Sequence, residues 1–176
     1  MALWVFGYGS LLWDPCFQAD RQQRATITGY ARSFCMSSIH HRGTEAQPGL
    51  VLALDETSHG RCDGIAMRVC KGTENTALSN LRARELVSSA YLEKDVEVML
   101  ADGKTISALV YVIDKQPRPY MANITLERQA QIIASAVGGR GRNSEYLFKT
   151  ASHLKNLGVD DPSMDWLVQR VRELSP

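Results

Sequence analysis

No charge of either sign dominates this sequence of 176 residues: 20 Lys and Arg stand against 19 Asp and Glu, a formal net charge of +1. A chain so nearly neutral has no global field to draw in nucleic acid or an acidic membrane surface, so a partner must be recognised by a local site. No run approaches the roughly 20 consecutive apolar residues that span a bilayer. The first residues carry no basic segment and their apolar run breaks at Gly7, so no secretory signal peptide is expected. Cysteine is sparse. Cys16, Cys35, Cys62 and Cys70 form no CxxC pair and match no zinc spacing, and reduced thiols in a cytoplasmic protein are the expected state. No internal repeat or low-complexity linker divides the chain. With 44% apolar and 22% charged residues, a single globular domain over residues 1–176 is expected, large enough to bury a core.

What is present follows one order, strands first and helices last. Residues 3–6 predict a strand, and residues 25–36 a second, broken at Gly29, because glycine inside a strand marks a bulge or bend. A polar segment follows at 37–43. Residues 50–54 (LVLAL) predict a short apolar strand and 63–69 (DGIAMRV) another. Over 75–88, Ala77, Leu78, Leu81, Leu86 and Val87 recur at near-helical spacing. Residues 96–100 and 105–113 predict strands joined at Asp102-Gly103, a hairpin signal. The prolines of QPRPY (116–120) interrupt regular structure. Beyond them Thr125 predicts an N-cap, with Arg128 where a full capping box carries Glu or Gln. Leu126, Ile132, Ile133 and Val137 predict one helical face, and GGRG at 138–141 a helix stop with Gly138 or Gly139 as C-cap. Residues 143–157 and 162–174 predict two further helices, with Pro162 in the first turn of the last. This order argues for an α+β domain, a mostly antiparallel and barrel-like sheet with helices beside it.

Several segments carry candidate chemistry. Gly7-Tyr8-Gly9-Ser10 follows the first strand. Glycines there allow backbone N–H groups to approach a polar ligand closely, and a plain turn after a strand explains them equally well. The loop is neither a P-loop nor GxGxxG, and Ser10 lacks the GxSxG setting of a hydrolase nucleophile. Glu85 sits on the predicted helix near Ala83 and Val87. Beside an apolar face its pKa rises and it suits general acid or base work; as a surface glutamate it pairs with an arginine. His40 and His41 are adjacent, which on a strand points them to opposite faces, so a metal site is not expected. Arg42 is expected to make ion pairs in a turn or a loop that lines a site. GGRG is too short a basic stretch to argue for RNA, and Tyr146 on the helix after it can face core or site. The NIT sequon at Asn123 carries no meaning without secretion.

Taken together, VFGYGSLLWDP, GYARSFCMSSIHHRGTEAQPGLVLAL, CDGIAMRV, LRARELV and GGRGRNSEYL occur in order over nearly the whole chain. In this combination the chain resembles the ChaC-type γ-glutamylcyclotransferases, which act on glutathione. The resemblance implies a small, mostly antiparallel β-barrel with flanking helices. It also implies a reaction without metal or cofactor, in which the α-amine of a γ-glutamyl group attacks its own γ-carbonyl and releases 5-oxoproline. By the same resemblance Tyr8, Gly9, Ser10 and Leu11 match the substrate loop, and Glu85 matches the catalytic glutamate of the Arg-Glu pair. Arg42, Arg140 and Tyr146 are candidates to hold the far end of the substrate. Many members read Asp-His-Arg-Gly where this chain has His40-His41-Arg42-Gly43, which leaves the choice among γ-glutamyl compounds open. Other γ-glutamyl peptides or γ-glutamylamines are the alternative substrates, and a non-catalytic member that binds a small ligand or a protein is the alternative class. A small-molecule substrate is expected, with no nucleic acid and no membrane as partner.

Overall fold

The computed structural model describes residues 2–86, 89–116 and 119–175. In chain order the elements are β1 (Trp4–Gly7), a 3-10 turn (Ser10–Leu12), β2 (Ala19–Ser38), β3 (Gly49–Val69), α1 (Glu74–Glu85), β4 (Tyr91–Leu100) and β5 (Thr105–Ile113), then α2 (Leu126–Ser135), β6 (Val137–Gly138), β7 (Gly141–Arg142), α3 (Asn143–Asn156) and α4 (Pro162–Leu174). Five strands close into a barrel in the order β1-β3-β2-β4-β5. Strand β1 pairs antiparallel with β3, β2 with β4 and β4 with β5, whereas β1 meets β5 in parallel, with Val5 opposite Leu109. The expected α+β class with a mostly antiparallel barrel is the observed one.

Residue contacts divide the chain into two compact units: Met1–Ser33 with Leu54–Pro117, and Phe34–Ala53 with Arg118–Pro176. The interior of the first follows the two-residue period of strands. Phe6, Ala25, Ile27, Leu54, Ala66, Val98, Leu100, Ala108, Val110 and Val112 form its core. Leu109, Tyr111 and Ile113, on the opposite face of β5, are buried as well. Covered on both faces, this strand reads as an unbroken apolar run rather than an alternating one. Gly29 holds φ +82° inside β2, a left-handed value that favours glycine, so the expected break is a local feature of one continuous strand. The β4–β5 turn forms at Asp102-Gly103, with the Gly103 N–H donating to the Leu100 carbonyl at 2.9 Å.

In the second unit α2, α3 and α4 pack on one another, burying Ala130, Ile133, Leu147, Leu154, Met164, Leu167 and Val171. The Thr125 hydroxyl caps α2 by accepting from the Arg128 N–H at 3.2 Å, and the Asp161 carboxylate caps α4 by accepting from the Met164 N–H at 3.0 Å. Arg170 of α4 grips the Glu127 carboxylate of α2 with two nitrogens, each at 2.9 Å. No helix among the described residues is long and apolar enough to cross a membrane.

Four expectations need correction. The strands expected at 50–54 and 63–69 are one strand, β3, running through the polar stretch between them. Residues 56–59 there are exposed, and main-chain pairing holds a strand without side-chain burial, so hydropathy gave no sign of it. Strand β4 begins at Tyr91, five residues earlier than the pattern indicates. Helix α1 spans Glu74–Glu85; Val87 and Ser88 of the expected helix, like Pro117 and Arg118 of QPRPY, lie outside the described residues. Finally, α2 ends before GGRG, with Ala136 as its C-cap. Val137 is exposed and pairs with Arg142, and Gly138 pairs with Gly141, in a two-stranded hairpin.

Candidate active site

Strand β1 gives out at Gly7, and the next residue is pinned on both its side chain and its backbone. The Tyr8 ring belongs to the barrel core, and its hydroxyl donates to the Tyr111 carbonyl at 2.8 Å. Its own carbonyl accepts from Arg32 Nη1 at 3.3 Å. The 3-10 turn then begins: the Leu12 N–H donates to the Gly9 carbonyl at 3.0 Å, and the Trp13 and Asp14 N–H groups donate to the Ser10 carbonyl at 3.2 and 3.1 Å. Leu12 is thus the first donor of the turn, and the N–H groups of Gly9, Ser10 and Leu11 lie ahead of it, unused within the turn. The side chains of Tyr8 and Leu11 are buried.

Glu85 is the last residue of α1, whose C-cap Leu86 returns its N–H to the Arg82 carbonyl at 3.0 Å. The Glu85 side chain is 14% exposed. Burial raises its pKa above the ordinary glutamate value, and the adjacent Arg84 charge pulls the other way. Arg84 spends each of its three nitrogens on a different group. Nε lies 3.2 Å from Glu85 Oε1 and Nη2 donates to Ser10 Oγ at 2.7 Å. Nη1 donates to the Asp14 carbonyl and lies 3.3 Å from the Asp14 carboxylate. The helix end that carries Glu85 is therefore tied to the loop that carries Gly9 and Ser10.

A second chain of contacts lies in the same unit. The Tyr111 hydroxyl donates to Glu93 Oε2 at 2.9 Å, and Arg82 Nη2 donates to Glu93 Oε1 at 2.7 Å. Burial and the Glu93 and Glu85 charges push the Tyr111 phenol up, while Arg82 and Tyr111 hold Glu93 below the usual glutamate range. Cys16 feels Arg84, Glu85 and Asp14, and its thiol is raised by burial.

Arg42 and Tyr146 meet each other in the second unit. The Arg42 guanidinium lies 5.7 Å from the centre of the Tyr146 ring and donates to the carbonyls of Arg140 and Arg142 at 2.7 and 3.2 Å. The Tyr146 hydroxyl accepts from the Leu52 N–H at 3.3 Å. Asn143, fully buried, plays the part of a neighbouring strand: its amide donates to the Leu50 carbonyl and accepts from the Leu50 N–H, both at 2.7 Å. His40 and His41 are exposed and serve through their carbonyls, which accept from the N–H groups of Gly139 at 2.7 Å and Arg140 at 2.9 Å. Gly138 belongs there because a Cβ would fall 2.4 Å from the Gly43 nitrogen and 2.5 Å from the His41 carbonyl. The HHRG and GGRG motifs thus pack backbone on backbone.

The structure brings the loop of Tyr8, Gly9, Ser10 and Leu11 together with Glu85 through Arg84, while Arg42, Tyr146 and the backbone of Arg140 form a cluster of their own. Sequence reasoning missed Arg32, Tyr111 and Glu93 and gave Arg84 no role beyond its neighbour. Arg84 stands 74 residues from Ser10 and Tyr111 stands 103 from Tyr8, and such distances leave no local spacing to read.

A family model described as ChaC-like protein matches residues 3–174. The chain is 36% identical over 172 residues to the glutathione-specific gamma-glutamylcyclotransferase of Escherichia coli (strain K12), which covers 98% of this chain and 74% of that protein. It is 34% identical to glutathione-specific gamma-glutamylcyclotransferase 1 of Mus musculus, over 99% of this chain and 80% of that one. A crystal structure of a gamma-glutamyl cyclotransferase specific to glutathione from yeast aligns with a TM-score of 0.88 at 23% identity, covering 99% of this chain and 97% of that one; the fold is shared.

Proposed function

The chain belongs to the ChaC-like family, and from that membership we propose that it is a γ-glutamylcyclotransferase that cleaves glutathione to 5-oxoproline and Cys-Gly. The observation that carries this reading is Glu85, a carboxylate 14% exposed and joined through Arg84 to the Ser10 loop. The relatives named for glutathione support the choice of substrate.

The α-ammonium of the γ-glutamyl group becomes a nucleophile only after losing a proton. Glu85 takes that proton, its basicity raised by burial and kept in check by Arg84. The freed amine attacks the γ-carbonyl of the same residue. Negative charge then builds on the carbonyl oxygen, where backbone N–H groups of the loop from Tyr8 to Leu11 stabilise it or hold the α-carboxylate. The C–N bond to cysteine breaks as Glu85 returns the proton to the departing nitrogen. One C–N bond forms and one breaks; the attacking nitrogen gives up two protons in all, one before attack and one from the new ring, and both end on the released ammonium of Cys-Gly. Because the attack is intramolecular, holding the γ-glutamyl chain folded removes much of the entropic barrier. Ser10 has no nucleophilic role, since the attacking atom is the substrate's own amine; its hydroxyl accepts from Arg84 Nη2.

The test is incubation of the purified chain with glutathione and assay of the products. Stoichiometric 5-oxoproline and Cys-Gly are expected; free glutamate would mean hydrolysis and overturn the reaction type. A cytoplasmic setting accords with this substrate and with four cysteines that form no disulfide.

A further inference from the structure

We propose that Arg84 is a positioning residue that locks the Ser10–Asp14 turn to the carboxylate of Glu85, so that a single guanidinium sets base and substrate loop together. The inference deepens the reading of Glu85 as the base and rests on it. Its ground is geometric. Nε, Nη1 and Nη2 reach Glu85, Asp14 and Ser10 at 3.2, 3.3 and 2.7 Å. A planar guanidinium presents its donors in a fixed fork, so fixing two partners fixes the third. A lysine ammonium carries the same charge but is a single point on a flexible stem, and one nitrogen cannot span three groups on two separate segments.

The three contacts differ in weight. Asp14 is 63% exposed, so its contact is screened by water and contributes little. Arg84 and Glu85 are 21% and 14% exposed, and Ser10 is half-buried, so the hydroxyl and the base are the partners that count. As a positive charge 3.2 Å from the carboxylate, Arg84 also favours the ionised Glu85 that must accept a proton. Charge and geometry are thus two separable services of one side chain.

The other groups around Glu85 leave this effect legible. Cys16, after the turn, and Tyr111 of β5 feel the Glu85 charge; Asp14 lies against Arg84, and Arg82 of α1 and Glu93 of β4 act on Tyr111. The Cys16 thiol and the Tyr111 phenol are both raised and stay neutral where a glutamate titrates. Glu93 is held ionised by Arg82. Arg84→Gln removes a charge that lowers the Cys16 thiol, so that thiol rises further and still stays neutral where a glutamate titrates.

The experiment compares wild type with Arg84→Lys and Arg84→Gln, each checked for a cooperative melt. The titration of Glu85 is followed by carboxyl carbon NMR, with Glu85→Gln assigning the signal, and turnover of glutathione is measured alongside. Arg84→Gln is expected to move the Glu85 midpoint up and to cut kcat by about 10²-fold, the scale of a misplaced reacting group. Arg84→Lys is expected to keep the midpoint near wild type and still lose roughly tenfold in kcat, since charge survives and the brace does not. An unmoved midpoint in Arg84→Gln, or wild-type kcat in Arg84→Lys, would overturn the proposal. If wild type releases no 5-oxoproline, the reading of the activity has failed, and the NMR arm still decides whether Arg84 governs Glu85.

Discussion

Arg32 and Tyr8 are joined through the tyrosine's carbonyl. Arg32 Nη1 donates to the Tyr8 oxygen at 3.3 Å and to the Asp63 oxygen at 2.9 Å. In a trans peptide the C=O and the next N–H point to opposite sides, so the bond that holds Tyr8 O also directs the Gly9 N–H away from Arg32. Arg32→Met keeps the stem and frees that peptide. With glutathione as substrate, kcat/KM is expected to fall at least about tenfold, toward the ~10²–10³ that a lost oxyanion donor costs. Unchanged kcat/KM in a folded variant refutes the role.

Glu85→Gln keeps the shape and removes the basicity. Its KM for glutathione is expected to stay near that of wild type while kcat drops by about 10²–10⁴, the usual worth of a positioned acid-base group. Steady-state kinetics decide this, and a near wild-type kcat means the base lies elsewhere.

Protonation of Glu85 links stability to pH. The folded state raises its pKa above the ordinary 4.5, so between those two values the folded chain holds a proton that the unfolded chain releases. The stability associated with this group is therefore full below 4.5 and is lost as pH rises through the folded value. Glu85→Gln lacks that loss. Its Tm relative to wild type is expected to climb across the same window, and the acidic limb of wild-type kcat/KM should fall above the ordinary glutamate range. A Tm difference that is flat with pH contradicts the assignment.

Asn143→Leu is close to isosteric but strands both backbone groups of Leu50, which the Asn143 amide pairs at 2.7 Å. A buried polar group left unpaired costs about 1–3 kcal/mol. Urea unfolding should show a loss of that order for each of the two groups. Asn143→Asp keeps the acceptor but sets a buried carboxylate against the Leu50 carbonyl, and is expected to lose at least as much at neutral pH. A wild-type midpoint for Asn143→Leu rules out the clamp.

Burial made the barrel legible in two ways: Val98 and Leu100 of β4 alternate with exposed residues as half-buried strands must, and β5 reads as an unbroken apolar run because both its faces are covered. The helices were legible from their ends, Thr125 and Pro162 above all. The middle of β3 was invisible because His59 and its neighbours are exposed and held by main-chain bonds. Glu85 stood out on the helix as a carboxylate near apolar residues, with a surface ion pair as the alternative, and only resemblance favoured it as the base, since one glutamate carries no spacing. The sequence set Tyr8 in a candidate loop and gave no sign that its ring lies in the barrel core, a place that depends on the Tyr111 carbonyl on a distant strand. Gly138 looked like a helix stop, and only the approach of Gly43 and His41 explains it.

Four residues shut the barrel. Strand β1 pairs with β3 from Trp4↔Arg68 to Gly7↔Ile65 and with β5 at Val5↔Leu109, and Tyr8 follows directly on this closing stave. Detachment of β1 would open the ring and release the Gly9–Leu11 donors in the same event. Amide exchange at Val5 and Phe6 and the decay of activity in denaturant are therefore expected to share one transition.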